Sequence, residues 1–304
     1  PYICIKALQC KLKRPCLTSY INKIFKKMQV IENGFNKVEA MIQTYKKLKL
    51  DCLVVLGGNG SLKSANLLAQ NGLNIIALPK TIDNDTWGTD YTFGYQSAID
   101  IATNYLDQIH TTAASHNRIF IVEIMGHKVG HICLAAGIAS GADVILLPEI
   151  PYEIEKIAAA IKQREMTGKN FTIIACAEGA ISKAEAALTK KQYKLKVAAR
   201  EGHSVVYDIA KQLSHYTDSE IRVSCVGHVQ RGGNPCPYDR LMATRFGIEG
   251  ASLIMNNDFG KLVVYKDNSV TAIPLIESAG KLKYVDVNSE EVNQARLLGI
   301  SFGD

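Results

Sequence analysis

The chain has no apolar run approaching the roughly 18 residues that a membrane-spanning helix requires; Gly, Pro or a charge interrupts each of the longest ones. It has no C-x-x-C pair. Its eight cysteines (Cys4, Cys10, Cys16, Cys52, Cys133, Cys176, Cys225 and Cys236) are scattered, with no histidine spacing that would complete a zinc site. Thiols such as Cys225, set in Val223-Ser224-Cys225-Val226, are expected to act as small hydrophobes in a reducing cytoplasm. There is no repeat of short period and no Pro/Ser/Gly-rich linker, so any division into domains is not marked by composition.

Acid is missing from residues 1–31, which hold seven Lys or Arg (Lys6, Lys11, Lys13, Arg14, Lys23, Lys26, Lys27). The net charge of +6 is therefore concentrated in that head, and the remaining 28 basic residues face all 29 acidic ones. A nucleic-acid surface would need a basic stripe on the main body, and the near-neutral charge of that body argues against one. Residues 1–31 also lack Gly, start at Pro1 and show no clean period. They read as an organellar presequence, a membrane-surface or nucleic-acid arm, or the mis-started end of a reading frame, with the last favoured.

What is present is a chain of 304 residues, 47% hydrophobic, enough for two ordinary domains or one α/β body with two lobes. From Asn36 the pattern is regular. Phe35, Val38, Met41, Ile42, Tyr45 and Leu48 fall on one helical face, with Asn36 and Glu39 spaced as a capping box. Strand-like runs follow at 53–56, 75–78, 119–123, 144–147, 171–176, 222–226 and 262–265, and amphipathic stretches at 98–106, 154–164, 204–213 and 241–255 lie between most of them. Alternating elements, with β-branched strands that lack a period of two, predict an α/β protein whose largely parallel sheets are covered by helices.

The chemistry-bearing residues cluster where these strands end, which is where ligands sit on such sheets. Leu53-Val54-Val55-Leu56 runs into Gly57-Gly58-Asn59-Gly60-Ser61, ahead of a helix expected to start near Leu62. Residues without a Cβ let several N–H groups converge on a phosphate at a positive helix end. This loop matches neither the Lys-bearing P-loop nor the dinucleotide fingerprint, and alone it is as readily a tight turn. Pro79-Lys80-Thr81-Ile82-Asp83-Asn84-Asp85 follows. If extended, it points Thr81, Asp83 and Asp85 to one side, where a carboxylate could take the proton of an attacking hydroxyl. Met125-Gly126-His127, Glu178-Gly179 and His228-Val229-Gln230-Arg231-Gly232-Gly233-Asn234-Pro235 end three further strands. Each of these is by itself more readily a turn than a site.

Taken with Gly88-Thr89-Asp90-Tyr91-Thr92-Phe93-Gly94, Ser115-His116-Asn117-Arg118 and Glu123-Ile124-Met125-Gly126, these loops form a linked set. In it the chain resembles the phosphofructokinase superfamily, from about Asp51 to about Gly250. After an atypical basic head over 1–35, the resemblance implies two similar lobes: a donor-binding lobe from 36–112 plus 230–280 and a sugar-phosphate-binding lobe from 113–229 plus 281–304. It implies glycolytic phosphoryl transfer to the 1-hydroxyl of fructose 6-phosphate, with Asp83 as general base and Thr81 and Asp85 beside it. Met125, Gly126, His127, Glu178 and Arg231 would line the sugar. Arg118, Arg222 and His228 would bind its phosphate, some of them across a subunit interface. Gly57, Gly58, Gly60, Ser61 and Lys80 would face the donor. A cytoplasmic homodimer or homotetramer using Mg²⁺, with no membrane or nucleic-acid partner, is expected.

Within the resemblance, Gly60 is the residue of ATP-using members and Lys80 that of many pyrophosphate users; some ATP-dependent members combine the two, so ATP is favoured and pyrophosphate kept as the alternative. The chain also departs from the family pattern. Asn59 replaces a magnesium-binding Asp, leaving an amide oxygen without charge as a weak metal ligand. His127 replaces an Arg, exchanging a permanent bidentate donor for a mostly neutral ring. Nothing in residues 1–50 matches the family's first strand, its nucleotide loop or the Arg that follows. Impaired activity, or a non-catalytic relative that keeps the sugar-phosphate pocket, is the further alternative.

Overall fold

The computed structural model describes residues 17–19, 31–32, 35–200 and 204–304. The basic head expected over 1–35 lies outside the described residues except at 17–19, 31–32 and 35. In chain order the strands are β1 (Leu17–Ser19), β2 (Ile31–Glu32), β3 (Phe35–Asn36), β4 (Leu53–Gly57), β5 (Ile75–Pro79) and β6 (Ile119–Ile124). They continue with β7 (Val144–Leu146), β8 (Thr172–Ala177), β9 (Ile221–Cys225), β10 (Lys261–Lys266) and β11 (Ser269–Pro274). No helix among the described residues is long and apolar enough to cross a membrane.

The chain divides into two compact units. One takes the described residues up to Gln96 together with Pro235–Lys283, and the other takes Ser97–Asn234 and Tyr284–Asp304. The expected limit at residue 112 differs from Gln96 by most of one helix, Tyr95–His116. That helix belongs with the second unit because its side chains are engaged there: the Tyr105 hydroxyl meets Ser224 Oγ at 2.6 Å, and the His110 ring stands edge-on to Phe171.

In the first unit the sheet order is β1-β4-β5-β10-β11, parallel from β1 to β10 and closed by an antiparallel β10–β11 hairpin. Every residue of β4 and β5 is buried. The reason is a core on each face: Val54, Leu56, Ile76 and Leu78 pack toward Phe93 and Phe246, while Leu53, Val55, Ile75 and Ala77 pack toward Leu62, Leu68 and Leu262. A strand buried on both sides has no polar alternation. Each such Leu, Ile or Val contributes about 1.5–3 kcal/mol on burial. The hairpin turns on Asp267 and Asn268, both at positive φ (49° and 61°), as a two-residue loop matched to strand twist requires. Helix Lys37–Lys47 begins at the expected cap, where the Asn36 side chain accepts from the Glu39 N–H at 3.2 Å.

The second unit carries a parallel sheet of order β7-β8-β6-β9. One face packs on helices Ile154–Met166 and Val205–Leu213 through Ile157, Ile161, Val206 and Ile209. Helix His131–Ala139, which has no polar stripe to mark it, packs against β7 and β8. A Cβ on its Gly137 would come 2.7 Å from Ile145 Cδ1, so glycine there permits the close approach of helix to sheet.

Candidate active site

At the end of β4 the chain turns directly into a helix at Asn59, three residues before the expected start. Gly58 caps it with no side-chain hydrogen bond, and Leu62 N–H donates to Gly58 C=O at 3.0 Å. Asn59, Gly60 and Ser61 thus form the first helical turn, where N–H groups lack intrahelical acceptors and the helix dipole favours an anion. Gly57 is required by this geometry, because a Cβ on it would lie 2.3 Å from Ser61 Cβ and Oγ. At Gly60 a Cβ would meet nothing within 4 Å, so a side chain there would occupy open space beside the turn.

The neighbouring strand β5 delivers Lys80, whose N–H donates to Gly57 C=O at 3.1 Å and locks the two loops together. The segment beyond it is not extended. Asp83 N–H donates to Thr81 Oγ1 at 3.2 Å, closing a local turn, and Asn84 adopts φ +52°. Alternation along an extended strand therefore does not describe Thr81, Asp83 and Asp85. Asp83 is half-buried, while Asp85 and Asn84 are each only 5% exposed. The loop is held from outside: Thr92 Oγ1 donates to Thr81 C=O at 2.9 Å, and Asn84 Nδ2 to Asp90 C=O at 3.3 Å. The buried Asp239 carboxylate accepts from Gly94 N–H at 2.6 Å and from the Tyr91 hydroxyl. Burial, aided by Asp239, pushes the Tyr91 phenol far above its ordinary range.

Sequence reasoning missed a second support, the segment from Ser278 to Lys283. Ser278 Oγ donates to Trp87 C=O at 2.6 Å, Leu282 bridges to Thr86, and Lys283 N–H donates to Asp85 C=O at 2.9 Å. The Lys283 ammonium donates to the carbonyls of Thr89 and Asp90, both at 2.9 Å. Burial pushes it down to about 8, against the pull of Asp90 and Asp85. The same segment reaches the helix that starts at Asn59, where Asn59 Nδ2 donates to Lys281 C=O at 2.6 Å.

For a divalent cation the described residues offer no cluster of three or more His, Cys, Asp or Glu side chains. They do offer Asn59 Oδ1, which is buried without a hydrogen-bond partner among the described residues. A lone hard oxygen beside a phosphate-type helix end suits a cation that arrives already carried by a polyphosphate. The donor set fits Mg²⁺ in that limited sense.

In the second unit, Met125, Gly126 and His127 follow β6, Glu178 follows β8, and His228 and Arg231 lie in the short helix Gly227–Arg231 after β9. These three strands are adjacent, so the ends converge. Glu178 Oε1 accepts the N–H groups of Gly126 (3.2 Å) and His127 (2.5 Å), and Gln230 Oε1 accepts that of Met125 at 2.8 Å. Glu178 and the buried Gln230 thus shape the loop from behind. A Cβ on Gly126 would sit 2.6 Å from Val129 C=O, and one on Gly179 2.4 Å from His127 C=O. His127 itself is exposed, at φ +56°.

Arg118 and Arg222 are not part of this cluster. They stand at the N-terminal ends of β6 and β9, where both guanidinium groups bond the Glu220 carboxylate. The length of β6, six residues, separates Arg118 from Met125 by roughly 20 Å at a strand rise of about 3.3 Å per residue.

A phosphofructokinase family model matches residues 19–254. The match starts well before Asp51, so the resemblance extends further toward the N-terminus than expected, and β1 at 17–19 pairs in parallel with β4. An ATP-dependent 6-phosphofructokinase of Spirochaeta thermophila is 50% identical over 273 residues, spanning 90% of this chain and 75% of that protein. One of Propionibacterium freudenreichii is 43% identical over 297 residues, spanning 91% and 79%. Among solved structures, phosphofructokinase from Saccharomyces cerevisiae superposes with a TM-score of 0.67 at 29% identity. The match spans 80% of this chain and 34% of the yeast chain. A pyrophosphate-dependent phosphofructokinase from Nitrosospira multiformis superposes at 0.73, but at 19% identity the likeness is one of fold alone.

Proposed function

Because the chain belongs to the phosphofructokinase family, we propose that it transfers the γ-phosphoryl group of ATP to the 1-hydroxyl of fructose 6-phosphate. The enzyme class is phosphotransfer to an alcohol. The observation that carries the reading is the pairing of an uncapped helix start at Gly58–Ser61 with the braced Asp83 loop, through the Lys80 to Gly57 hydrogen bond. ATP is favoured as donor because the two relatives named above, at 43% and 50% identity, are named ATP-dependent, and because the space beside Gly60 is open.

In this reading the first unit binds the donor. The N–H groups of the first turn after Gly58 and the Lys80 side chain hold the polyphosphate, and Asn59 Oδ1 is the protein ligand available to Mg²⁺. The cation supplies charge neutralisation on the transferring group. Asp83 accepts the proton of the acceptor hydroxyl as that oxygen attacks phosphorus. Thr81 fixes the Asp83 backbone through its hydroxyl, and Asp85 anchors the loop from its buried position.

The second unit binds the sugar phosphate. Met125, Gly126 and His127 form its floor, Glu178 holds that floor through its Oε1, and His228 and Arg231 supply exposed donors. Arg118 and Arg222 stand too far along β6 and β9 to join them. They serve the phosphate of a neighbouring subunit's substrate, which makes the functional species a homodimer or homotetramer.

A coupled assay with fructose 6-phosphate, Mg²⁺ and either ATP or pyrophosphate tests this reading. Turnover with ATP is expected. Turnover with pyrophosphate alone would reverse the donor assignment, and turnover with neither, alongside sugar-phosphate binding, would leave a non-catalytic relative.

A further inference from the structure

Segment Ser278–Lys283 is the last part of the first unit, and its side-chain hydrogen bonds reach residues at least 191 positions away in sequence. Its contacts fall on two functional elements: the loop of residues 85–90 and the first residue of the donor helix. Trp87 C=O, Asp85 C=O, Thr89 C=O and Asp90 C=O are taken by Ser278 Oγ, Lys283 N–H and, for the last two, Lys283 Nζ. Asn59 Nδ2 is taken by Lys281 C=O. The segment is a strap that fixes the carboxylate loop relative to the donor helix.

Within that strap one side chain does something packing could not. Two main-chain carbonyls converge on a single point, and only a compact group with several donors and no acceptor satisfies both. An ammonium is costly to bury, and Lys283 is held down to about 8 by that burial. Its charge is answered by Asp90 and Asp85; Asp90 in turn accepts from Asp267 N–H on the β10–β11 turn.

We propose that Lys283 is a positioning residue for phosphoryl transfer, holding residues 85–90 so that Asp83 meets the acceptor hydroxyl in line with the donor. The proposal rests on the reading of Asp83 as general base. It places no atom of Lys283 on either substrate. Its loss therefore lowers the rate of the chemical step and spares ground-state binding of the sugar phosphate, which belongs to the second unit.

The test uses the full chain with Lys283→Met, Lys283→Arg and, separately, Asp83→Asn. Displacement of a reacting group by about 1 Å costs on the order of 100-fold, so kcat of Lys283→Met should fall roughly 10- to 100-fold. Its dissociation constant for fructose 6-phosphate, measured by calorimetry, should stay within about twofold of the parent. Above about pH 8 the parent loses the Lys283 proton, and its kcat should decline. Lys283→Arg, which keeps its charge there, should not show that decline. A Met variant with parental kcat overturns the proposal, as does one that loses kcat and sugar-phosphate affinity in equal proportion. If Lys283→Met does not fold, the Arg variant decides: an alkaline limb identical to the parent's overturns the proposal, and its absence supports it. Asp83→Asn with parental rate would sink the base reading itself, independently of either Lys283 result.

Discussion

Arg118 and Arg222 bond the same carboxylate, Glu220, at the N-terminal ends of two adjacent parallel strands. The Arg118 hydrogen bond, seconded by charge from both arginines, holds the Glu220 carboxyl below its ordinary range. The pair therefore stays assembled through neutral pH, poised away from its own strand C-termini. If the arginines complete a neighbour's site, Arg222→Ala should raise KM for fructose 6-phosphate roughly 10- to 100-fold, the value of a charge-assisted hydrogen bond, with little change in kcat. Arg222→Ala and Asp83→Ala subunits, each nearly inactive alone at low substrate, should complement when mixed and reassembled. In a dimer a 1:1 mixture restores about a quarter of parental activity, since half the dimers are mixed and each has one intact site. No recovery on mixing would mean that the arginines act within their own chain.

Asp83 carries the largest expected effect. A positioned general base is worth roughly 10²- to 10⁴-fold, so Asp83→Ala should lose turnover by that factor while KM for both substrates stays within a few-fold. Steady-state kinetics at saturating donor checks this, and retained rate would remove Asp83 from the chemistry.

How much of this was legible in sequence depends on how local its cause is. The strands at 53–57 and 75–79 announce themselves because burial on both faces forbids polar residues, so an unbroken apolar run is the whole cause. The helix after β4 is expected, but with its start three residues late, because Ser61 reads as a natural cap and Asn-Gly has low helical propensity; the fit of Gly57 against Ser61 goes with the earlier start. Helix His131–Ala139 lacks the polar face that periodicity needs. The left-handed Asn84 undid the extended geometry assumed for the carboxylate loop. Lys283 was invisible for the plainest reason: its partners Thr89 and Asp90 lie more than 190 residues away, and nothing in Gly280-Lys281-Leu282-Lys283 hints at them.

Glu149 gives a pH signature. Its Oε1 accepts from Gly130 N–H, at the start of helix His131–Ala139, and from Val285 N–H, both at 3.0 Å. Burial raises its carboxyl above the ordinary value despite those bonds. A group raised in the folded state gives its full stabilisation below its unfolded pKa and loses it as pH climbs through the folded one. Glu149→Gln keeps the acceptor and cannot ionise. Its melting temperature should therefore gain on the parent's as pH rises from the ordinary carboxyl value through the raised one. A difference independent of pH, read by scanning calorimetry at both ends, would show that Glu149 ionises without cost.

The last prediction turns on Asn59. Compared with the family pattern, restoring Asp at this position looks like a repair, and sequence alone predicts a gain in activity or magnesium affinity. The contact with Lys281 argues for the opposite sign. Asn59 Nδ2 donates to that carbonyl at 2.6 Å, so a carboxylate in the same rotamer would set oxygen against oxygen in a partly buried site. A lost hydrogen bond plus an unpaired charge costs roughly 1–3 kcal/mol, enough to loosen the strap that also carries Lys283. Asn59→Asp should therefore lower the melting temperature by several degrees and weaken Mg²⁺-ATP binding, as followed by calorimetry. The amide is then the residue that lets one side chain serve two masters, its nitrogen bound to the strap and its oxygen left for the cation. Tighter Mg²⁺-ATP binding with no loss of thermal stability would show that the carboxylate can turn away from Lys281, and that Asn59 is a deficit after all.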